Sequence, residues 1–107
     1  MDVVETKTPD ALAGAVDLLK ALASPVRLAA VVELSDGPRC VHELQSALKA
    51  TGRQVSQPLL SQHLRVLRDA GLVVTTRRGT EITYQLPDAH VGHIVNDAIR
   101  HSQEEHP

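Results

Sequence analysis

Apolar residues recur every three or four positions through most of the chain, a spacing that predicts amphipathic helices. In the first such stretch Leu12, Val16, Leu19 and Leu22 form a single stripe. Four further stretches show a comparable stripe of Leu, Val, Ile or Ala. The predicted helices cover 11–23, 25–34, 40–50, the segment from Ser56 to about Ala70, and 89–104.

Short polar residues mark where these helices begin and end. Asp10 is the predicted cap of the first helix, and Ser24 followed by Pro25 suits the start of the second. Ser, Asp and Pro favour helix N-termini because their side chains accept a free backbone N–H or preset the first helical dihedral. Ser56 is the predicted cap of the fourth helix, and Gly71 is suited to its end.

A change of periodicity separates the last two helices. Residues 72–76 and 81–86 are rich in β-branched side chains, which predicts two strands of a hairpin. The residues between them, Arg77-Arg78-Gly79-Thr80, predict a basic tip.

The order of these elements predicts a mainly α fold with a small β-hairpin, a winged helix-turn-helix. The helix-turn-helix is expected at 40–70 and the wing at 72–86. The flanking helices, 11–23 and 89–104, are the predicted dimerisation helices. At 107 residues, the chain has room for one domain, 1–107.

Composition narrows the class further. No apolar run approaches the roughly 18 residues of a membrane span, and residues 1–10 are polar and acidic, unlike a signal peptide. We therefore expect a cytoplasmic protein without a membrane partner. Cys40 is the only cysteine, so no internal disulfide is expected. Tyr84 is the only aromatic residue, which predicts an aliphatic core.

Charge is distributed unevenly along the chain. The net charge is −2, yet residues 39–78 carry seven basic and two acidic side chains, a local balance of +5. The remaining four basic and eleven acidic residues give −7. A basic central region suits a phosphate backbone, and an acidic remainder suits a cation.

The basic region holds the candidate DNA contacts. The fourth helix is predicted to enter the major groove of duplex DNA, where short polar side chains at its N-terminus reach base edges or phosphates. Arginines in the wing suit phosphate or minor-groove contact. One such unit covers a half-site, so a homodimer on an inverted repeat is expected. The candidate residues are Ser56, Gln57, Ser61, Gln62, His63, Arg65, Arg77 and Arg78.

The last helix carries four candidate metal ligands: Asp88, His90, His101 and Glu104. His90 and His101 fall on one helical face, within about 20°, but roughly 16 Å apart along the axis. One ion therefore cannot contact both histidines within a single helix. Antiparallel pairing of this helix across a twofold axis would bring the two ends together.

Two histidines and two carboxylates suit tetrahedral Zn²⁺, with Co²⁺ as a mimic, and leave no open position for catalytic water. This set favours metal sensing over hydrolysis, so no enzymatic activity is expected. His93 lies on the flank of the ligand face and is more simply a surface residue. Cys40 and His42 form a possible second half-site that lacks partners earlier in the chain.

The chain resembles the ArsR/SmtB family of metal-responsive repressors over nearly its full length. The matching stretches are LLKALASPVRLAAVVEL at 18–34, RCVHEL at 39–44, SQPLLSQHLRVLRDAGLV at 56–73 and RRGTEITYQL at 77–86. The last-helix pattern Asp-x-His, ten residues, then His-x-x-Glu is matched from Asp88 to Glu104.

The resemblance implies a metal-free dimer that represses its operator and releases it when zinc binds at the C-terminal ligands. It also implies that Gln57, Ser61 and Gln62 contact DNA. Two departures from the family pattern are the longer connection Lys49–Gln54 and Pro58.

Other functions stay open at this point. A repressor of the same family could use another inducer, Co²⁺, Ni²⁺ or a non-metal compound, and leave the C-terminal ligands unused. A small zinc hydrolase would need an open coordination position and a general base, and the chain has no His-Glu-x-x-His pair. A zinc buffer without DNA binding would leave Arg77 and Arg78 without a role.

Overall fold

A computed structural model describes residues 8–104; residues 1–7 and 105–107, and with them most of the polar N-terminal segment, lie outside the described part. The described chain forms five helices and three short strands. In chain order these are α1 Pro9–Leu22, α2 Pro25–Leu34, β1 Arg39–Cys40, α3 Val41–Ala50, α4 Gln57–Asp69, β2 Val74–Arg78, β3 Glu81–Gln85 and α5 Ala89–Gln103.

The first two helices begin at residues suited to capping, but the predicted cap of α1 was wrong. Thr8, not Asp10, caps α1: its backbone is extended and its Oγ1 accepts the N–H of Ala11 at 3.3 Å. With Pro9 next in the chain, the helix starts two residues earlier than expected. Ser24 caps α2 as predicted, its Oγ accepting the N–H of Arg27 at 3.3 Å.

The connection from α3 to α4 is held by hydrogen bonds at both ends. The N–H of Arg53 donates to the carbonyl oxygen of Leu48 at 2.9 Å, which closes the end of α3. Gly52 has a φ of +89°, a conformation that favours glycine. Gln45 donates its side-chain amide to the Val55 carbonyl at 2.9 Å. The long connection is therefore an ordered turn anchored to α3.

The sheet has three antiparallel strands in the order β1-β3-β2, one more than predicted. β1 has only two residues, with Arg39 opposite Tyr84 and Cys40 opposite Thr83. A pair this short has no alternating pattern that the sequence could reveal. The hairpin strand β2 begins at Val74 rather than at residue 72, because Leu72 and Val73 are buried in the core ahead of the strand.

The core is aliphatic, as expected. It contains leucine, valine and alanine side chains from all five helices and from the segment before β2. Tyr84 packs against the edge of this core and is only partly buried. Between residues 8 and 104, no helix is long and apolar enough to cross a membrane. The buried residues are Ala21, Leu22, Ala30, Val31, Leu34, Leu44, Leu48, Leu60, Leu64, Leu67, Leu72, Val73, Val91 and Val95.

Apolar side chains of α1 and α5 lie outside this core, as do Leu59 and Val66 of α4 and Val74 of β2. On α1, Leu12 and Leu19 are each 55% exposed and Val16 is 47% exposed. On α5, Ile94 is 40% exposed although Val91 and Val95, its neighbours on the adjacent face, are buried against the rest of the chain. The molecule therefore carries an apolar surface on its first and last helices that the described residues leave uncovered.

Candidate DNA-binding surface and metal ligands

The leucines of α4 determine which of its polar residues face outward. Leu60, Leu64 and Leu67 are completely buried, so the opposite face of the helix is turned to solvent. Ser56, just before the helix, uses its Oγ to accept the N–H of Leu59 at 3.3 Å and so caps α4. Five of the predicted DNA contacts are exposed in this region: Ser56, Gln57, Ser61, Gln62 and Arg65.

His63 is placed differently from the other candidates on α4. Its ring is half-buried, and its Nδ1 lies 3.0 Å from Nη1 of Arg27 on α2. Burial of the ring, together with the positive charge of Arg27, lowers the pKa of His63 below its ordinary value. The Nδ1 side of the imidazole therefore lies in the contact between α2 and α4.

The wing arginines lie within a strand rather than at the tip. Arg77 and Arg78 are the last residues of β2, opposite Ile82 and Glu81 of β3, and the turn consists of Gly79 and Thr80. Because side chains alternate along a strand, the two arginines point to opposite faces of the hairpin. Both are exposed.

The wing lies beside the N-terminal part of α4. Residues that line one cleft of about 290 Å³ include Gln57 and Ser61 of α4 and Thr80 and Ile82 of the hairpin. The polar start of α4 and the hairpin thus form one continuous exposed surface. The basic side chains of this surface, Arg65, Arg77 and Arg78, can contact phosphates while the short polar side chains face the bases.

The candidate metal ligands form two pairs, one at each end of α5. Asp88 caps the helix, with Oδ1 accepting the N–H of His90 at 2.9 Å and lying 3.6 Å from its Nδ1. At the other end, Nδ1 of His101 lies 3.9 Å from Oε2 of Glu104, the C-cap residue of the helix. The structure brings together each carboxylate with its own histidine, but not the two pairs.

The part of one chain that the structure describes does not form a complete metal site. Across residues 8–104, no three or more His, Cys, Asp and Glu side chains converge as a metal ion would require. If two chains shared each metal site, each chain would contribute one such pair of candidate ligands to it. The donor set, imidazole nitrogen and carboxylate oxygen, is one that Zn²⁺ accepts.

The candidate ligand histidines share their face of α5 with the exposed Ile94. At 100° per residue, His90 and His101 fall within about 40° of Ile94 around the helix axis. Val91 and Val95 define the buried side, where α5 packs against α2. The two candidate ligand histidines and Ile94 therefore point away from the core in the same direction.

The proposed half-site at Cys40 and His42 does not gain partners in the described residues. Cys40 is half-buried ahead of α3, and His42 is exposed. The Cys40 N–H donates to Oε1 of Glu43 at 2.9 Å, and this hydrogen bond lowers the pKa of Glu43. These contacts give Glu43 a role in starting α3.

Arg27 is the residue of this region that the sequence did not single out. It lies in a helix that is otherwise mostly apolar, and such an isolated charge is the one signal that could have drawn attention to it. Its guanidinium contacts two other helices, through the Ala21 carbonyl of α1 and His63 of α4.

Comparison with known proteins gives a consistent result. The profile described as "Bacterial regulatory protein, arsR family" matches residues 24–75. The HTH-type transcriptional repressor SmtB of Mycobacterium tuberculosis is 51% identical over 89 residues, which cover 83% of this chain. The chain spans 62% of that repressor's length. The HTH-type transcriptional regulator NmtR of the same species is 42% identical over 88 residues, 82% of this chain and 69% of the regulator.

A solved structure extends the similarity to the fold. The homodimeric winged helix-turn-helix DNA-binding domain Mb0332 from Mycobacterium bovis, described as a possible ArsR-family transcriptional regulator, superposes with a TM-score of 0.76. The two share 26% sequence identity, and the match covers 100% of this chain and 96% of that domain. The winged helix-turn-helix predicted from the order of elements is confirmed.

Proposed function

The chain belongs to the arsR family of bacterial regulatory proteins, and on this premise we propose that it is a zinc-responsive transcriptional repressor. A homodimer binds an inverted repeat in operator DNA without metal and releases it when Zn²⁺ binds between the protomers. The protein is a regulator and not an enzyme, in keeping with relatives that are transcriptional repressors.

The DNA-binding part of the proposal is supported by the exposed surface of α4 and the wing. Gln57, Ser61, Gln62 and Arg65 are turned outward by the buried leucines behind them. Ser56, next to them, caps α4 and is also exposed. Arg77 and Arg78 supply positive charge from the hairpin. The recognition helix α4 would lie in the major groove, with one protomer on each half-site.

The zinc part is carried by one observation: the histidines of both candidate ligand pairs, His90 and His101, lie on the same face of α5 as the exposed Ile94. If that face pairs antiparallel with its copy, Asp88 and His90 of one protomer meet His101 and Glu104 of the other. The dimer then holds two four-coordinate sites. Zinc supplies a bond network that joins the protomers, and the four ligands leave no position for a reactive water.

Zinc can release DNA only if it binds one dimer geometry more tightly than the other. By the same coupling, DNA must weaken the affinity for zinc. The regulatory effect is therefore a property of the two-chain arrangement, and each measurement has a reciprocal counterpart.

The test is a titration of a palindromic duplex with the protein, with and without Zn²⁺, Co²⁺ or Ni²⁺. We expect zinc to release the duplex from the unchanged protein. His101→Asn should bind the duplex with unchanged affinity and no longer respond to zinc. His93→Asn, on the flank of the same helix, is the matched control and should respond normally.

Four results would change the proposal. Zinc release that persists in His101→Asn means that the ligands are misassigned. Release by Co²⁺ or Ni²⁺ but not by Zn²⁺ favours a different metal inducer, and no response to any metal favours a non-metal inducer. Failure to bind any duplex, combined with tight zinc binding, would indicate a zinc buffer.

A further inference from the structure

The guanidinium of Arg27 connects three helices. Its Nε donates a hydrogen bond to the main-chain carbonyl of Ala21, near the end of α1. Its Nη1 lies 3.0 Å from Nδ1 of His63 in α4, 36 residues further along the chain. Arg27 itself belongs to α2 and is half-buried. One side chain thus joins the helix with the uncovered apolar stripe to the helix proposed to enter DNA.

The contact defines the protonation state of His63. Arginine only donates hydrogen bonds, so Nδ1 of His63 must accept and cannot carry a proton. The neutral ring then has its proton on Nε2. A lowered pKa for His63 agrees with this arrangement.

The buried leucines alone leave part of the geometry of α4 undetermined. Apolar burial is non-directional, so Leu60, Leu64 and Leu67 hold α4 on the core without defining its exact rotation or axial position. Hydrogen bonds with fixed donor and acceptor geometry do define them. The hydrogen bonds of Arg27 are directional in this way, and they orient α4 relative to α1.

We propose that Arg27 is a positioning residue for DNA recognition, acting through His63, and that His63 supports α4 from behind without contacting DNA. The inference rests on the proposed function, in which α4 contacts DNA and α1 contributes to the dimer surface. In a dimer, the separation of the two recognition helices must match the half-site spacing. A link between α1 and α4 would set that separation.

Two substitutions at position 63 distinguish support from direct contact. The amide of His63→Asn can place its oxygen near the position of Nδ1, so the bond from Arg27 is retained. The longer His63→Gln places its amide near Nε2, which retains a group on the opposite side of the ring. We expect His63→Asn to bind DNA within about 3-fold of the unchanged protein, and His63→Gln to bind roughly 10-fold more weakly, the loss of one well-placed hydrogen bond to a charged group.

The probe is a duplex selected from a random-sequence pool by the unchanged protein, together with versions whose half-site spacing is changed by one base pair. Arg27→Met should weaken binding roughly 10-fold and also reduce the preference for the original spacing. Combined with His63→Gln it should cost little more than either change alone, because both remove the same contact. Unfolding midpoints, measured in parallel, ensure that each variant is folded at the assay temperature.

Nuclear magnetic resonance of the imidazole nitrogens gives a readout that does not depend on DNA. The expected signal for His63 is the neutral Nε2–H form near neutral pH, and the Nδ1–H form would overturn the proposal. It would also be overturned if His63→Gln bound normally and His63→Asn did not, or if Arg27→Met kept full affinity and spacing preference. Absence of duplex binding by the unchanged protein would overturn the proposed function and this inference together.

Discussion

Helices α1 and α4 have the same pattern of leucines and differ in what buries it. On α4, Leu60, Leu64 and Leu67 are completely covered by the chain's own core. On α1, Leu12, Val16 and Leu19 repeat at the same spacing, and about half of each side chain stays exposed. The comparison teaches that periodicity identifies a face to be buried but does not identify its partner.

The two regions also differ in charge. The segment 39–78, which contains α4 and the first wing strand β2, has a balance of +5, whereas the rest of the chain, including α1, β3 and α5, has −7. A basic surface supported by a complete core suits a rigid contact with DNA. An acidic and apolar surface suits a second chain and a cation.

The largest effect is expected in the core behind α4. Leu64→Ala should lower the free energy of unfolding by about 2–5 kcal/mol, because it removes a fully buried side chain and leaves a cavity. Chemical denaturation, repeated at several protein concentrations, measures this loss. Leu19→Ala on α1 is the counterpart, and its cost should depend on protein concentration. If both substitutions lowered the free energy of unfolding equally and independently of protein concentration, the proposed difference between α4 and α1 would be contradicted.

Next in size is the effect of a charge on the α1 stripe. Val16→Asp should raise the Kd of the dimer by at least about 100-fold, because two symmetric positions each lose roughly 1.5 kcal/mol of apolar burial. Analytical ultracentrifugation measures the shift to monomer, and circular dichroism verifies the fold. Ala13→Glu, on the polar face of α1, is the control and should remain dimeric. A dimer that persists in Val16→Asp would place the interface elsewhere.

The same Val16→Asp variant sharpens the metal assignment, because all four ligand side chains remain in each chain. Four ligands of a structural zinc site contribute roughly 10–16 kcal/mol, so losing the partner's two should weaken zinc binding by at least about 100-fold. Calorimetry on unchanged protein and variant makes the comparison. Equal zinc affinity in the monomer would show that a single chain completes the site.

A smaller effect is expected at the wing. The slope of log affinity against log salt concentration is negative. Arg77→Ala and Arg78→Ala should each make it shallower by about 0.9, the contribution of one phosphate contact. Arg100→Ala is the control: Arg100 lies on α5, 3.7 Å from Asp97, and should leave the slope unchanged. If only one wing arginine changes the slope, only one face of the hairpin lies against DNA. An effect of Arg100 equal to theirs would contradict the division of charge.

The smallest effect concerns the start of α3. The hydrogen bond from the Cys40 N–H lowers the pKa of Glu43, so its carboxylate stabilises the folded state above the ordinary glutamate pKa of about 4.5. That stabilisation is lost as the pH falls through the lower pKa of the folded state. The stability difference between unchanged protein and Glu43→Ala should therefore narrow on acidification. Glu43→Gln keeps an acceptor at every pH, so its advantage over Glu43→Ala should not vary.

Several site residues show how far local signals reach. Ser24 and Ser56 were predicted as caps, and both accept a backbone N–H three residues ahead. Thr8 and Asp10 are both suitable caps, and only the backbone conformation selected Thr8. His63 was grouped with its polar neighbours on α4. His63 follows Leu60 by three residues, which places it at the border of the buried face. This spacing indicates partial burial, but it does not identify Arg27 as the partner of His63.

The sequence alone was sufficient for the helices, the hairpin, the aliphatic core and the uneven charge, because capping and periodicity act between residues a few positions apart. The strand pair of Arg39 with Tyr84, the contact of Arg27 with His63 and the exposure of the α1 stripe were decided by tertiary structure. These depend on which distant segments meet when the chain folds. Contacts between segments tens of residues apart leave no periodic trace in either segment, so only the folded chain reveals them.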